Sequence, residues 1–262
     1  MRQRPSPATL ASATPVTAAT EPPLLSCWLE SSPASVEEQL AIDEAVLDEA
    51  ERGLRTHRTV RTWMADELVV VVGSSSRLEQ EVDRAACHAA GVRIVRRPTG
   101  GATVVLGPGC LMWSVITPYP YDMPSVDTLH ATTLSPLCEA FATAGVPVTR
   151  QGTSDLTVGE QKVSGNALRV RKHAVLYHGT LLDDFDIDAA MQLLRHPPRE
   201  PSYRGGRPHT SFLANLRQGH SQLEQLVRDA FQASTVAPPC DSSLVTQLLA
   251  DRYESVAWNT RL

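Results

Sequence analysis

Hydrophobic residues along this chain follow two periods, and the switches between them mark its elements. Residues 24–30 form a short apolar run that reads as a strand. In Ser35-Val36-Glu37-Glu38, Ser35 is placed to cap a helix and Glu38 to complete a capping box. Leu40, Ala41, Ala45, Val46 and Ala50 then recur at helical spacing, which predicts a helix to near Arg52 with Gly53 as its stop. Two β-rich runs, 59–63 and 68–72, are separated by the polar Ala65-Asp66-Glu67 and closed by Gly73-Ser74-Ser75-Ser76, the pattern of a hairpin. A helix is expected over 79–90. Beyond it, Val92, Ile94 and Val104 alternate with polar neighbours, so antiparallel strands are expected on either side of Gly100-Gly101.

The second half continues with a strand over 111–116 and a helix over 128–144, in which Pro136 marks a kink or a boundary. Strands are expected at 146–149, 156–158, 162–163 and 174–182, and a helix at 186–194. Residues 195–210 hold Pro197, Pro198, Pro201, Pro208 and Gly205-Gly206, too many breakers for a regular element, and read as a long functional loop. Helical spacing returns at 221–232 and 241–254. The fold class is therefore α+β: a central mixed, mostly antiparallel sheet flanked by helices.

Composition narrows the functional classes. The chain has 262 residues, 42% hydrophobic and 20% charged, with a formal net charge of -5, so no overall basic field is available for nucleic acid or an anionic membrane. No apolar run approaches the ~20 residues that a bilayer span requires. Five widely spaced cysteines without a C-x-x-C argue against a disulfide framework and a structural zinc site, and fit a reducing, cytoplasmic setting. The eight histidines lack ligand spacing, so no tightly bound transition metal is expected. Residues 1–23 are rich in Ala, Thr, Ser and Pro and read as a disordered N-terminal tail, with residues 24–262 as a single domain. An organellar transit peptide is the alternative for the tail, although its five prolines suit an amphipathic helix badly.

Three segments can carry chemistry. In Arg96-Arg97-Pro98-Thr99-Gly100-Gly101, paired glycines let backbone N–H groups approach an anion and a guanidinium can pair with carboxylate or phosphate. The plainer alternative is a turn beside two surface arginines. Walker A and Rossmann patterns do not fit, because no G-K-[ST] follows and the glycines do not open a helix. In the second segment, Gly159 turns the chain so that Lys162 emerges close to Gly165 and Asn166. Lys162 and Lys172 are the only lysines against 22 arginines, which makes Lys162 less ordinary than a solvated surface lysine. The third segment, His178-Gly179-Thr180, lies in an apolar strand, where a histidine is commonly a hydrogen-bonded core residue.

Taken in order, Trp63, Val71-Val72-Gly73, Arg96-Arg97-x-x-Gly100-Gly101, Ser154-Asp155-Leu156, Gly159-x-x-Lys162-x-x-Gly165-Asn166-Ala167 and His178-Gly179-Thr180-Leu181-Leu182 resemble the lipoate–protein ligase branch of the biotin/lipoate ligase superfamily. The resemblance runs from about residue 24 to 186, and extends less distinctively through Arg207, Phe212, Asn215-Leu216, Arg252-Tyr253 and Trp258-Asn259. It implies a biotin/lipoate ligase-like fold and a two-step reaction. Lipoate or octanoate and MgATP give an acyl-AMP, and the acyl group then passes to a lysine on a lipoyl domain of a 2-oxoacid dehydrogenase or on the glycine-cleavage H protein. Lys162 matches the lysine that contacts the acyl carbonyl and the adenylate phosphate. Arg97, Gly100 and Gly101 would border the acyl-phosphate. Asp155 matches the acidic position near the adenylate and its magnesium, and Val72 and Gly73 would flank an apolar acyl tunnel. Thr99, Gly165, Asn166, His178, Gly179 and Thr180 complete the expected substrate and adenylate contacts.

The sequence also departs from the pattern. Ala102 replaces a third glycine and Leu106-Gly107 a His-Asp pair, and only two expected helices follow Arg217 where larger ligases carry a further domain. A separate accessory subunit would then supply that part. The alternative chemistry is an ATP-independent octanoyl or lipoyl transferase working through a cysteine thioester, for which Cys110 is the one candidate near the glycine loop. A binding module for lipoate or lipoyl domains without turnover is the non-enzymatic alternative, disfavoured by Lys162.

Overall fold

The computed structural model describes residues 24–262, and the expected tail of residues 1–23 lies outside the described residues. The chain begins with β1 (Ser26–Trp28) and α1 (Val36–Glu51). Ser35 caps α1 as its sequence predicts, its Oγ accepting from the Glu38 amide at 3.2 Å. β2 (Arg58–Met64) and β3 (Val69–Val72) follow, then α2 (Leu78–Glu81), α3 (Arg84–Ala89), β4 (Arg93–Arg96), β5 (Val104–Leu106) and β6 (Cys110–Pro118). The second half holds α4 (Val126–Thr143), β7 (Val148–Gln151), β8 (Asp155–Val158), β9 (Gln161–Ser164), β10 (Asn166–Val170) and β11 (Ala174–Leu182). α5 (Ile187–Met191), α6 (His209–Phe212), α7 (His220–Ala230), β12 (Thr235–Val236), α8 (Ser242–Leu248) and α9 (Val256–Asn259) complete it.

The expected α+β class holds. A six-stranded mixed sheet runs in the order β10-β11-β6-β2-β1-β12, antiparallel from β10 to β2 and parallel from β2 to β12. Its central strand β6 is buried on both faces. Leu111, Trp113 and Val115 point into a core shared with α4 and α7, where Trp113 stacks on Tyr177 and Phe231 at 5.8 and 6.0 Å. Met112, Ser114 and Ile116 alternate to the opposite face, which α1 covers. Two three-stranded sheets flank this layer, β4-β3-β5 and the antiparallel meander β7-β8-β9. Among the described residues no helix is long and apolar enough to cross a membrane.

Two strand pairings differ from the sequence pattern. The runs expected as a hairpin part company: β2 pairs with β6 and β1 in the large sheet, whereas β3 is the centre of the small one. Both runs are buried throughout their interiors, so neither carries the alternation that would assign it to a sheet. Likewise, β4 and β5 do not pair with each other. They lie on opposite sides of β3, β4 parallel and β5 antiparallel, and the glycine segment between them crosses the end of β3.

β10 and β12 are strands that the sequence pattern does not mark, and several helix ends also differ. The expected helix 79–90 breaks at Val82, which turns extended and buried, and Asp83 caps α3 by accepting from the Ala86 amide at 2.9 Å. α4 instead runs through Pro136 without a boundary. The 241–254 helix becomes α8 followed by a wider π turn over Leu249–Tyr253, and the helix expected at 186–194 shortens to α5. Inside the proline-rich loop lie a 3-10 turn, Ser202–Arg204, and the short α6.

Candidate active site

The three sheets and the proline-rich loop enclose a cavity of about 310 Å³, within the size range of small-molecule sites. Leu40 of α1, Val71 of β3, Met112 of β6, Leu182 of β11 and Phe185 give it apolar walls, while Asp155, Lys162, Asn166 and His178 supply the polar ones. They come from seven elements and the segment after β11, with His178 and Leu182 sharing β11, and the backbone explains how each arrives.

Lys162 sits at a bulge. Thr157 of β8 pairs with Lys162 and Leu156 with Ser164, so Val163 is an extra residue that re-aims the strand beside the cavity. The Lys162 ammonium lies 2.7 Å from Asp155 Oδ1, and the second carboxylate oxygen of Asp155 accepts from the Tyr203 hydroxyl at 2.7 Å. Gly165 makes room for it: a Cβ there would stand 3.1 Å from both Lys162 Cε and Nζ. Gly179 is required more strictly, since a Cβ would fall 1.7 Å from Asn166 Oδ1. That clearance lets Asn166 donate from Nδ2 to the Ser154 carbonyl at 2.6 Å. Thr180 closes the join, its amide donating to Gly165 O and its Oγ1 accepting from Gly165 N.

The glycine loop is held from within. Arg97 donates from Nε to Thr99 Oγ1, from Nη1 to Val71 O, and from Nη2 to the carbonyls of Gly100 and Ala102, at 2.6–3.1 Å. Burial pushes its guanidinium down to about 10. Arg97 therefore lines the cavity with four of its five donors already committed to shaping the loop. Gly73 permits a close backbone approach, because a Cβ would meet the Gly101 carbonyl oxygen at 2.0 Å. Gly101 and Ala102 reach the cavity wall, whereas Val72, Gly73, Thr99 and Gly100 stand behind it. On β3 the side chain facing the cavity is Val71, and strand alternation turns the expected Val72 away.

Behind the loop, His178 Nε2 lies 2.7 Å from Thr99 Oγ1. Thr99 accepts from Arg97, which has no acceptor, so its own proton is free for His178 Nε2 and the remaining ring proton belongs on Nδ1. Nδ1 faces Asp43 Oδ2 across 3.8 Å. Asp43 Oδ1 accepts from Arg61 at 2.7 Å and Ser114 at 2.8 Å. Burial lowers the His178 pKa despite the nearby carboxylate. Burial alone would raise the pKa of Asp43, but Arg61 and His178 together hold it below the usual carboxylate range.

Two expected roles meet obstacles. Both oxygens of Asp155 are engaged by proton donors, and no group of three or more His, Cys, Asp or Glu is placed to hold a metal ion among the described residues. The residues present do not fit a protein-held magnesium at Asp155. Cys110 is packed in the apolar core, outside the cavity lining, and burial pushes its thiol up to about 12. None of the five cysteines lines the cavity.

Residues 35–235 match the lipoyl protein ligase A/B catalytic domain, a span that holds every cavity-lining residue from Leu40 to Leu213. This chain belongs to that family. Its relatives in the lipoyl protein ligase family carry two activities by name. Over 231 residues it is 26% identical to lipoate–protein ligase 1 of Staphylococcus aureus, covering 84% of this chain and 68% of the relative. Over 259 residues it is 24% identical to the octanoyltransferase LipM of Halalkalibacterium halodurans, covering 85% and 94%. Alignments with three ligase relatives span 56–68% of their lengths. In fold, the chain matches a bipartite lipoate protein ligase of Thermoplasma acidophilum, described with its E2 lipoyl domain, at a TM-score of 0.77, 22% identity and coverage of 90% and 96%. A lipoate–protein ligase A bound with ATP gives a TM-score of 0.77, 22% identity and coverage of 90% and 99%.

Residues missed by sequence reasoning left unequal signals. Asp43 falls among the apolar positions of α1, and Arg61 lies inside a buried strand, both readable as buried charge. Tyr203 lies in an aperiodic loop and gave no signal.

Proposed function

We propose that this protein is a lipoate–protein ligase, which activates lipoate or octanoate with ATP and transfers the acyl group to a lysine of a lipoyl domain or of H protein. The observation that carries this reading is Lys162, held by Asp155 in the polar wall of an otherwise apolar cavity that no thiol lines. The acyl chain lies against Val71, Met112, Leu182 and Phe185. Its carboxylate attacks the α-phosphorus of ATP, forming a P–O bond and expelling pyrophosphate. Lys162 is the cation that offsets charge on the acyl carbonyl and the phosphate; at ~4 Å and an effective dielectric near 20, such a contact is worth roughly 4 kcal/mol. The acceptor amine then attacks the carbonyl carbon, AMP leaves, and the amine proton passes to solvent. Magnesium enters with the nucleotide as part of that substrate, and Asp155 keeps its place beside Lys162. The fold-level likeness to an ATP-bound ligase and to a ligase described with its lipoyl domain supports this choice of co-substrate and partner. The five free cysteines suit a reducing compartment such as the cytoplasm.

The octanoyltransferase relative favours a second reading, in which the acyl group arrives on a carrier and no ATP is used. Mass spectrometry of a lipoyl-domain acceptor separates the two, with free lipoate in the presence or absence of MgATP in one arm and octanoyl-carrier protein in the other. Acyl gain that requires ATP and free acid is the expected result. Gain from the carrier alone overturns the ligase. Acyl-AMP without transfer points to a separate accessory subunit for the second step.

A further inference from the structure

Lys162 and Tyr203 approach the same carboxylate from different parts of the fold. Lys162 belongs to β9, and Tyr203 to the 3-10 turn of the proline-rich loop. Asp155 gives Oδ1 to the ammonium and Oδ2 to the phenol, both at 2.7 Å, so its plane is fixed from two sides.

The tyrosine is itself seated. Its ring packs at 5.4 Å from that of Phe212, and the β7–β8 turn lies beneath it, where a Cβ on Gly152 would stand 3.4 Å from Tyr203 Cε1. Arg207 ties down the backbone, donating from Nη2 to the carbonyls of Tyr203 at 2.9 Å and Glu160 at 3.2 Å. Burial and the adjacent Asp155 carboxylate push the phenol well above its ordinary value, so it remains a proton donor.

Four methylenes give a lysine ammonium wide freedom, and only one of its three donors is used by Asp155. We propose that Tyr203 is a positioning residue, which acts through Asp155 to aim the remaining Lys162 donors into the cavity and so makes Lys162 alignment depend on the proline-rich loop being seated. A displaced loop removes the phenol, frees the Asp155 carboxylate to rotate, and lets the ammonium follow it. This inference rests on the ligase reading for its kinetic consequence, while the coupling between Tyr203 and Lys162 belongs to the ligand-free protein.

The test is Tyr203→Phe in the full chain, which keeps the ring against Phe212 and removes the hydroxyl. Because Lys162 and Lys172 are the only lysines, protein labelled with [15Nζ]lysine gives two ammonium signals, assigned with Lys172→Arg. The expected result is a Lys162 signal that moves or broadens in Tyr203→Phe while that of Lys172 stays. Acyl-AMP formation should lose about tenfold in kcat with KM for lipoate nearly unchanged, as loss of a hydrogen bond to a charged group predicts. A Lys162 signal that stays in place overturns the coupling. A moved signal with wild-type kcat overturns its role in turnover. If the wild-type protein makes no acyl-AMP, the ligase reading fails, and the ligand-free spectra still decide the coupling.

Discussion

Asp43 Oδ2 and His178 Nδ1 face each other across 3.8 Å, both buried and neither with a hydrogen-bond partner among the described residues. The pair joins α1 to the glycine loop, since His178 continues to Thr99 and Thr99 to Arg97. Asp43 also neutralises Arg61, which is fully buried in β2. Asp43→Ala should therefore cost about 3–5 kcal/mol of stability by stranding that guanidinium. Urea unfolding measures the loss, and a change below about 1 kcal/mol would show that Arg61 finds compensation elsewhere.

Lys162→Ala should leave the fold intact and remove roughly 3 kcal/mol of transition-state stabilisation, about a hundredfold or more in the rate of acyl-AMP formation. Single-turnover kinetics with the purified variant checks this. Near-normal turnover would take Lys162 out of the reacting site.

Gly179→Ala brings a methyl against Asn166 Oδ1, and Asn166 must then give up its bond to Ser154 or β10 must move. A stability loss of about 1–3 kcal/mol is expected, with a larger fall in activity than Lys172→Arg causes. Thermal unfolding and the acceptor assay read the two effects separately.

Protons should destabilise the protein below neutral pH. Burial, with help from Arg204, His196 and Lys162, lowers the His209 pKa to about 4, and His178 is lowered by burial as well. Their neutral forms belong to the folded state, so stability is fully present above the unfolded value of about 6.5 and falls as pH drops toward the folded values. Urea midpoints across that window should decline in the wild type and decline less in His209→Gln. Parallel curves for the two proteins would contradict the shift at His209.

Cys110→Ala should retain acyl transfer, because the thiol is sealed in the core and raised to about 12. Loss of transfer together with loss of a covalent acyl-protein mass would instead establish a thioester route.

The chain disclosed its elements better than their partners. α1, with its Ser35 cap and apolar stripe, is legible because local hydrogen bonds and helical periodicity act within a few residues of one another. Sheet membership of β2 and β3 is not, because both runs are buried through their interiors without face alternation and only long-range packing separates them. Within the site, Lys162 stood out through the scarcity of lysine, and Gly165 and Gly179 through their motifs. Arg97 was visible as a residue, but its direction was not: whether a guanidinium faces a ligand or its own loop depends on carbonyls that only the folded backbone brings together. Tyr203 became meaningful only when a loop of more than ten residues folded back onto Asp155.

On the ligase reading, a protein that prepares an acyl group for attack by amines exposes its own amines to the same reaction. As the ammonium of an ion pair with Asp155, Lys162 has its nitrogen electrons committed to N–H bonds and offers no lone pair to a mixed anhydride. Elsewhere the chain carries its positive charge on 22 arginines and a single further lysine, Lys172. Guanidinium groups do not deprotonate near neutral pH, so nearly all of this charge is held in a form that an acyl-adenylate cannot modify. On that reading, the contact that aims Lys162 at the substrate also spares this lysine from acylation.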